Sequence, residues 1–371
     1  MKYLLAHAQE LVYILESLIP SAYQRETFNA MLGLFLEAKG YPLPQHSQTK
    51  SASAISRFLN IYDWPTRQII RVIRKHIQSA ILSVCPQGRR PQLQVILDLT
   101  TLEKCGKFKE FDHLIRVYNR KRGLHLVVMY LVVGQWRIPW SFRVWRGKGT
   151  PSPAQLGLKL LKNLPKSFTK HFQVMVLADT AFGSADFIHS VRSLKYHAVT
   201  GLLSSRRLTD GRRLKRLHKR GQQVRLQRFN CPVWVSWFYL KRHDGKLEKR
   251  FVLSTRQLKA STINWWGKRR WQIEGWFKTA KHRFGLHRFG QATLLGVYRW
   301  LVLSFLTFIL AHWAYLSTNP KDLPDWGQAA HTALVFIFPQ IVMSSFLLYL
   351  QQIISLARSC GFDFLISRCK I

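Results

Sequence analysis

Acidic side chains are scarce in this chain: eighteen Asp and Glu stand against fifty-seven Lys and Arg, a formal charge of +39. That imbalance exceeds what solubility asks and is typical of chains that meet a polyanion, so nucleic acid is the leading partner. Cysteine is also sparse. Cys85, Cys105, Cys231, Cys360 and Cys369 are odd in number, scattered and without a CxxC pair, which favours neither a disulfide framework nor a zinc site. No small-residue cleavage site follows the opening MKYLLAHAQELVYILESLIP, and His7, Gln9, Glu10 and Glu16 interrupt its apolar run. It reads as an amphipathic helix rather than a signal peptide. Long uninterrupted apolar runs are missing too: residues 301–316 carry His312, and Thr332 to Leu356 contains Pro339 and Gln340. Each is marginal against the roughly twenty residues needed to span a bilayer, so no membrane is expected and both are read as buried helices covering a sheet.

Aromatic residues, by contrast, are abundant. Thirteen Trp, twelve Tyr and twenty-three Phe are interleaved with the cations, whereas a disordered basic tail would be poor in them. With 371 residues the chain can bury a sizeable core, and its length suggests two or three domains.

Residues 1–90 look helical, with one helix to Ile19, a second near Glu26 to Lys39, and a polar linker YPLPQHSQTK. Two more helices follow in SASAISRFLNIYDWPTRQIIRVIRKHIQSAI, with Ser51 or Ser53 as a cap and a turn near Tyr62 to Pro65. The second carries Arg67, Arg71, Arg74 and Lys75. This pair is either a helix-turn-helix DNA reader or a helical bundle with a solvated basic face. After the break at Pro86 to Pro91 the period changes. Leu93, Val95 and Leu97 alternate with Gln94, Ile96 and Asp98, placing Asp98 near the end of a probable central strand. Leu124 to Val133 and Trp136 to Trp145 add two strands in a meander, and GKGTPSPAQ leads into the helix LGLKLLKNL. FQVMVLADTAFGSADFIHSVRSL then supplies strand, Asp179, glycine turn and capped helix.

Residues 196–255 are strand-like, with a hairpin turn at HDGK, and read as a β-rich insertion. From Arg206 to Arg228 there are ten Lys or Arg and one Asp, so Arg212, Arg213 and their neighbours offer phosphate contacts. Trp234, Trp237 and Phe238 are read as core, with stacking on an unpaired base as the alternative.

The stretch Trp265 to Phe289, WWGKRRWQIEGWFKTAKHRFGLHRF, reads as one long helix. At about 100° per residue, Arg270, Glu274 and Lys281 fall within roughly 40° of one face, with Phe277 in the stripe and Trp266 on its border. Glu274 is the one carboxylate between Lys268 and Arg288, so it does not balance a surface ladder of ion pairs. A lone acid there suggests a metal ligand placed where phosphates must be held. Asp98 and Asp179, each after an apolar strand, are either turn or capping acids or carboxylates converging on a crevice of one mixed sheet.

Asp98, Asp179 and Glu274 in this order resemble the acidic triad of the DDE transposases, particularly the insertion-sequence-four family. That family carries Tyr, two residues, Arg, three residues, Glu, six residues, Lys; Arg270, Glu274 and Lys281 match the last three, whereas Gly267 stands where the Tyr is expected. LDLT around Asp98, LADTAFG around Asp179 and SRFLNIYDWPTRQ resemble its acid motifs and its amino-terminal DNA-binding region. The resemblance implies a ribonuclease-H-like mixed α/β core (91–195 and 256–316) interrupted by the β-rich insertion (196–255). An amino-terminal helical DNA-binding domain (1–90) precedes it and apolar helices (317–371) follow. It further implies that the three acids hold Mg²⁺, with Mn²⁺ able to substitute, and that Arg270 and Lys281 clamp phosphates. Trp266, Arg67, Arg71, Arg212 and Arg213 would add DNA contacts. The implied partners are double-stranded DNA, as terminal inverted repeats and target, and a second copy of the chain. The implied location is cytoplasmic, at the nucleoid.

Overall fold

The computed structural model describes residues 3–37, 41–83, 85, 88, 90–108, 110–241, 244–318 and 324–364. The fold is mixed α/β and forms two compact units, Arg71–Thr279 on the one hand and Met1–Ile70 with Ala280–Ile371 on the other. This division differs from the boundaries expected at residues 90, 195, 255 and 316.

The first unit is built on a nine-stranded sheet. At its centre β1 (Gln92–Glu103) runs antiparallel to β3 (Lys121–Val133) and parallel to β5 (Gln173–Ala178), which pairs in parallel with β6 (His197–Leu202). Parallel strands buried on both faces read as near-continuous apolar runs, and every position of Leu93 through Leu97 and of Val174 through Ala178 is buried, with Gln94 as the polar residue among them. The opposite edge of β3 is shared between two strands. Its first four residues pair with β2 (Ile115–Tyr118), and the rest with β4 (Trp136–Trp145). The expected meander is therefore present with one further strand, β2, too short to leave a periodic signal. Pro139 lies in β4 beside a shift of register between Met129 and Tyr130, the edge-strand and bulge setting in which proline is tolerated.

Residues 196–255 do not stand apart from this sheet. From β6 it continues through β9 (Leu247–Ser254) and β8 (Val233–Lys241) to β7 (Gln222–Val224), each antiparallel to its neighbour. Strands β8 and β9 form the expected hairpin; of its HDGK turn, His243 lies outside the described residues. Helix α5 (Pro153–Leu161) starts at a capping box in which Ser152 and Gln155 satisfy each other's backbone N–H groups. After α6 (Lys166–His171) and β5 comes α7 (Ala185–Ser193), capped by Ser184.

The second unit is helical. Helices α1 (Tyr3–Ser17) and α2 (Ala22–Glu37) precede α3 (Ala52–Asn60), whose Ser51 side chain accepts from the Ala54 N–H as the expected cap. Helix α4 (Thr66–Ser83) follows the expected turn; its residues from Arg71 onward belong to the other unit. The apolar run after residue 300 lies in α10 (Leu294–Ser317), which packs on α1, α2, α3 and α11 (Trp326–Ile337) rather than over the sheet. The reason is its hydrophobicity on every side. A helix with no polar face needs partners all round, and α1 and α2 supply rows such as Leu4, Ala8, Leu11 and Leu15 or Phe28, Met31 and Phe35. Pro339 splits the last apolar stretch into α11 and α12 (Pro339–Ser359). Both α10 and α12 are long and apolar enough to cross a membrane; α10 is largely buried in protein, and no residue of α12 is buried.

Candidate active site

Asp98 lies in the middle of β1 rather than near its end, at the level where β5 gives out. The parallel register pairs Leu97 with Ala178, the last residue of β5. Asp98 and Asp179 are thus the next pair along, on strands about 4.8 Å apart, and occupy equivalent positions in the alternation of the two strands. Asp179 caps a single 3₁₀ turn, Thr180–Phe182, its side chain accepting from the Ala181 N–H at 2.9 Å. Glycines let the chain turn here. A Cβ on Gly201 would lie 2.9 Å from the Thr180 Cγ2, and one on Gly183 only 2.6 Å from the Gly201 carbonyl oxygen.

The expected long helix is two helices, α8 (Ala260–Arg269) and α9 (Gln272–His282). Arg270 keeps right-handed helical dihedrals at the junction, and the Trp271 N–H reaches back three residues to the Lys268 carbonyl. The tightened turn preserves the neighbour relation of Arg270 and Glu274, whose Nη2 and Oε1 are 2.7 Å apart. The junction is tied to the sheet by Gln94, a buried residue of β1. Its Oε1 accepts from the Arg269 Nε at 3.2 Å and the Gln272 Nε2 at 3.1 Å. Gln94 and Asp98 are four apart on a strand and share a face, so this anchor sets Glu274 on the Asp98 side. Arg270 completes the link by donating from Nη1 to the Asp98 Oδ2 at 3.0 Å.

Electrostatics at the site are dominated by burial. Asp98 is pushed up to about 7 by desolvation; Arg270 and the Leu99 N–H oppose this, while Asp179 and Glu274 add to it. Asp179 is raised as well, again mainly by burial, with the Ala181 N–H and Arg270 opposing and Glu274 reinforcing. The ion pair to Arg270 does not compensate the loss of water around Asp98.

Beside these residues lies a cavity of about 300 Å³, whose lining includes Asp179, Thr180, Gly201, Phe238, Arg250, Arg270, Trp271 and Glu274. Trp271 meets Phe238 edge to face, with ring centroids 5.9 Å apart. Neither Trp271 nor Gln94 was singled out from the sequence; the adjacency of Trp271 to Arg270 was the available signal. Contrary to expectation, Trp266, at 4% exposure, is a core residue of α8 and cannot border a DNA face, whereas Trp265 beside it is exposed and stacked under Arg269. Trp237 is core, as expected. Lys281 is in the last turn of α9. Arg67 and Arg71 are exposed on α4. Arg212 and Arg213 are exposed in the segment between β6 and β7, outside the cavity lining, and Arg212 is paired with Asp210 at 2.7 Å.

The model of the transposase DDE domain family matches residues 89–310, well over half of the chain and the whole of this site. The chain belongs to that family. As a transposase DDE domain protein it is a polynucleotidyl transferase or nuclease type of enzyme. A solved structure of piggyBac transposase, described as a synaptic complex with hairpin DNA, is similar at 11% identity and a TM-score of 0.48, covering 92% of this chain and 79% of that one. The comparison with curated proteins gave no match.

Gly267, where the resembled signature has Tyr, has a packing reason. A Cβ there would lie 2.9 Å and 3.2 Å from the two Val252 methyls and 3.4 Å from Phe238, so α8 rests too closely on β9 for a side chain. Gly267→Tyr is expected to overpack this contact, costing about 1–3 kcal/mol or more, and thermal denaturation should show a lowered Tm without gain of activity.

Proposed function

We propose that this transposase DDE domain protein is the DNA transposase of an insertion sequence, cutting at the element's ends and joining the freed 3′-hydroxyl to target DNA. The observation that carries the reading is the meeting of Asp98, Asp179 and Glu274 around Arg270, three acids drawn from distant parts of a chain that has few. Enzymes with DDE domains depend on divalent metals in general, and these residues fit such a group. Three carboxylates are hard oxygen donors suited to Mg²⁺ or Mn²⁺, and burial first, then the neighbouring acids, raises Asp98 and Asp179, a penalty on their charged forms that a bound cation would relieve. When bound, divalent ions supply Lewis-acid activation of the attacking oxygen and stabilisation of the leaving one in in-line displacement at phosphorus.

The chain's own residues hold and orient. Gln94 fixes the α8–α9 junction, the junction sets Arg270 and Glu274, and Arg270, whose Nη1 and Nη2 lie on Asp98 and Glu274, would turn its planar fork to phosphate oxygens when DNA is bound. Lys281, on the same helix as Glu274, provides a second cation for flanking phosphates. Arg67, Arg71 and Arg213, all exposed, support the reading of extended backbone contact along terminal repeats and target. Two copies would hold the two ends together, and the place of action would be the cytoplasm, at the nucleoid.

The deciding experiment incubates the purified protein with a plasmid-borne element and Mg²⁺ and sequences the product ends. Element ends joined to target DNA are expected; cut ends that never join would leave a nuclease instead. Arg270→Ala and Lys281→Ala should each weaken end binding and cleavage and lower the slope of log affinity against log salt by about one phosphate contact. An unchanged slope would remove that residue from the DNA interface.

A further inference from the structure

A second cleft lies at the other end of the parallel strands. Asp179 follows the last residue of β5, whereas this cleft, of about 500 Å³, is lined where β5 and β6 begin, by Gln173, His197 and the nearby Arg90, Lys195, Tyr196 and Arg256. Since β5 has six residues, the two clefts are separated by roughly 20 Å at about 3.3 Å per residue.

Its charge is of one sign. The lining holds three cations and a histidine and no Asp or Glu. Among the described residues Lys195 and Arg256 have no ion-pair partner, and Arg90 uses Nη2 on the carbonyls of Thr169 and Phe172, which leaves Nε and Nη1 without one. His197 is held below the ordinary histidine range by burial and then by the positive fields of Arg256 and Arg192. The backbones that carry these cations are fixed. The Ser254 hydroxyl accepts from the Arg256 N–H and donates to the Arg256 carbonyl, at 3.1 Å and 2.7 Å. Lys195 closes α7 at φ +62°, with its N–H on the Arg192 carbonyl and the Tyr196 N–H on that of Val191. Glycine is the usual residue at such a left-handed helix end; here the position carries a cation at the mouth of a cleft.

We propose that this cleft is a phosphate-binding site, and that its phosphate belongs to the backbone of the duplex on which the carboxylate site acts. The site goes beyond the proposed reaction, and its assignment to DNA rests on that reading. Unpaired Arg and Lys donors with no competing carboxylate suit a phosphate. A distance of roughly 20 Å corresponds to about six nucleotides of one strand at 3.4 Å each, so the contact falls about half a helical turn from the bond that is cut.

The test uses the full chain with Lys195→Gly and Arg256→Gln combined; glycine keeps the left-handed turn at 195, and a preserved Mn²⁺-induced thermal shift shows that the variant is folded at its other site. Fluorescence anisotropy across a salt series is expected to give a slope of log affinity on log salt lower by about 2, and affinity lower by tenfold or more. Wild-type protein should lose the same amount when the duplex is shortened to fewer than about six base pairs beyond the cleavage position, and the variant should be indifferent to that shortening. Unchanged DNA binding in the variant, with a thermal shift by inorganic phosphate at constant ionic strength that only the wild type shows, overturns the assignment to DNA in favour of a free phosphate. No change in either measurement overturns the site. Asp98→Asn separates the two proposals: it should leave the salt slope intact, and its loss of cleavage says nothing about this cleft.

Discussion

Asp98→Asn is expected to abolish divalent-metal-dependent cleavage and joining, by a factor of about a thousand or more, while making the metal-free protein more stable. Asp98 is buried in β1, and its carboxyl is raised to about 7 chiefly by desolvation. The sign follows from linkage. The unfolded chain holds this carboxyl near the usual value of about 4, so above pH 7 the folded protein carries a charge that it accommodates worse than the unfolded chain does. On acidification from pH 7 to 4 the folded state takes up the proton first, and the penalty disappears. A shift of about three pH units sets an upper limit of roughly 4 kcal/mol, with the attraction of Arg270 already included. Asn keeps the shape without the charge. Urea titrations of the two proteins across pH 4 to 8 should show the variant more stable at pH 8 and the difference shrinking to near zero by pH 4. Mg²⁺ or Mn²⁺ should raise the Tm of the wild type and not of the variant. A variant that is less stable than wild type at pH 8, or that still cleaves, would remove Asp98 from the proposed site.

Arg299→Met should strongly destabilise the helical unit, by about 2–5 kcal/mol for two orphaned acceptors. Arg299 is 1% exposed on α10 and, among the described residues, has no carboxylate within ion-pair distance; its partners are carbonyls and one hydroxyl. It donates to the carbonyls of Phe58, Leu59, Tyr62 and Trp64 and to the Thr66 hydroxyl, with its guanidinium 4.1 Å over the Trp64 ring. These carbonyls lie at the carboxy-terminal end of α3 and in the turn that follows, where a helix end is negative and its acceptors need donors; Phe58 also accepts from the Trp64 Nε1 and Trp64 from the Thr66 N–H, whereas Leu59 and Tyr62 are served by Arg299. Burial lowers Arg299 to about 10, which leaves it charged at neutral pH. Met fills the volume but supplies no donor, so the Leu59 and Tyr62 carbonyls lose the guanidinium, while those of Phe58 and Trp64 keep one donor each or more. Thermal and chemical denaturation should both report the loss, and the turn between α3 and α4 should lose hydrogen-exchange protection first. A Tm within a few degrees of the wild type would mean that water can replace the guanidinium.

The triad was legible because its members follow strong local signals. Asp98 and Asp179 come after buried strands, and Glu274 stands alone among cations at helical spacing from Arg270. What surrounds the triad was not legible. Gln94 looks like an ordinary polar residue in an alternating strand until β1 is seen to face the α8–α9 junction. Trp266 and Trp265 are neighbours with opposite fates, since a difference of 100° around a helix decides which is core. The segment 196–255 has the local pattern of an insertion, and nothing in that pattern shows that β6 and β9 hydrogen-bond into the main sheet.

The sequence by itself determined the mixed α/β class, the identity of the acids and the basic character of the surface, because period, charge and spacing are local properties. The tertiary structure decided which strand lies beside which, that α10 is enclosed by other helices, and that two separate clefts lie at opposite ends of β5. Those outcomes depend on pairings between residues far apart along the chain, where each apolar face could have met several partners and burial selected one.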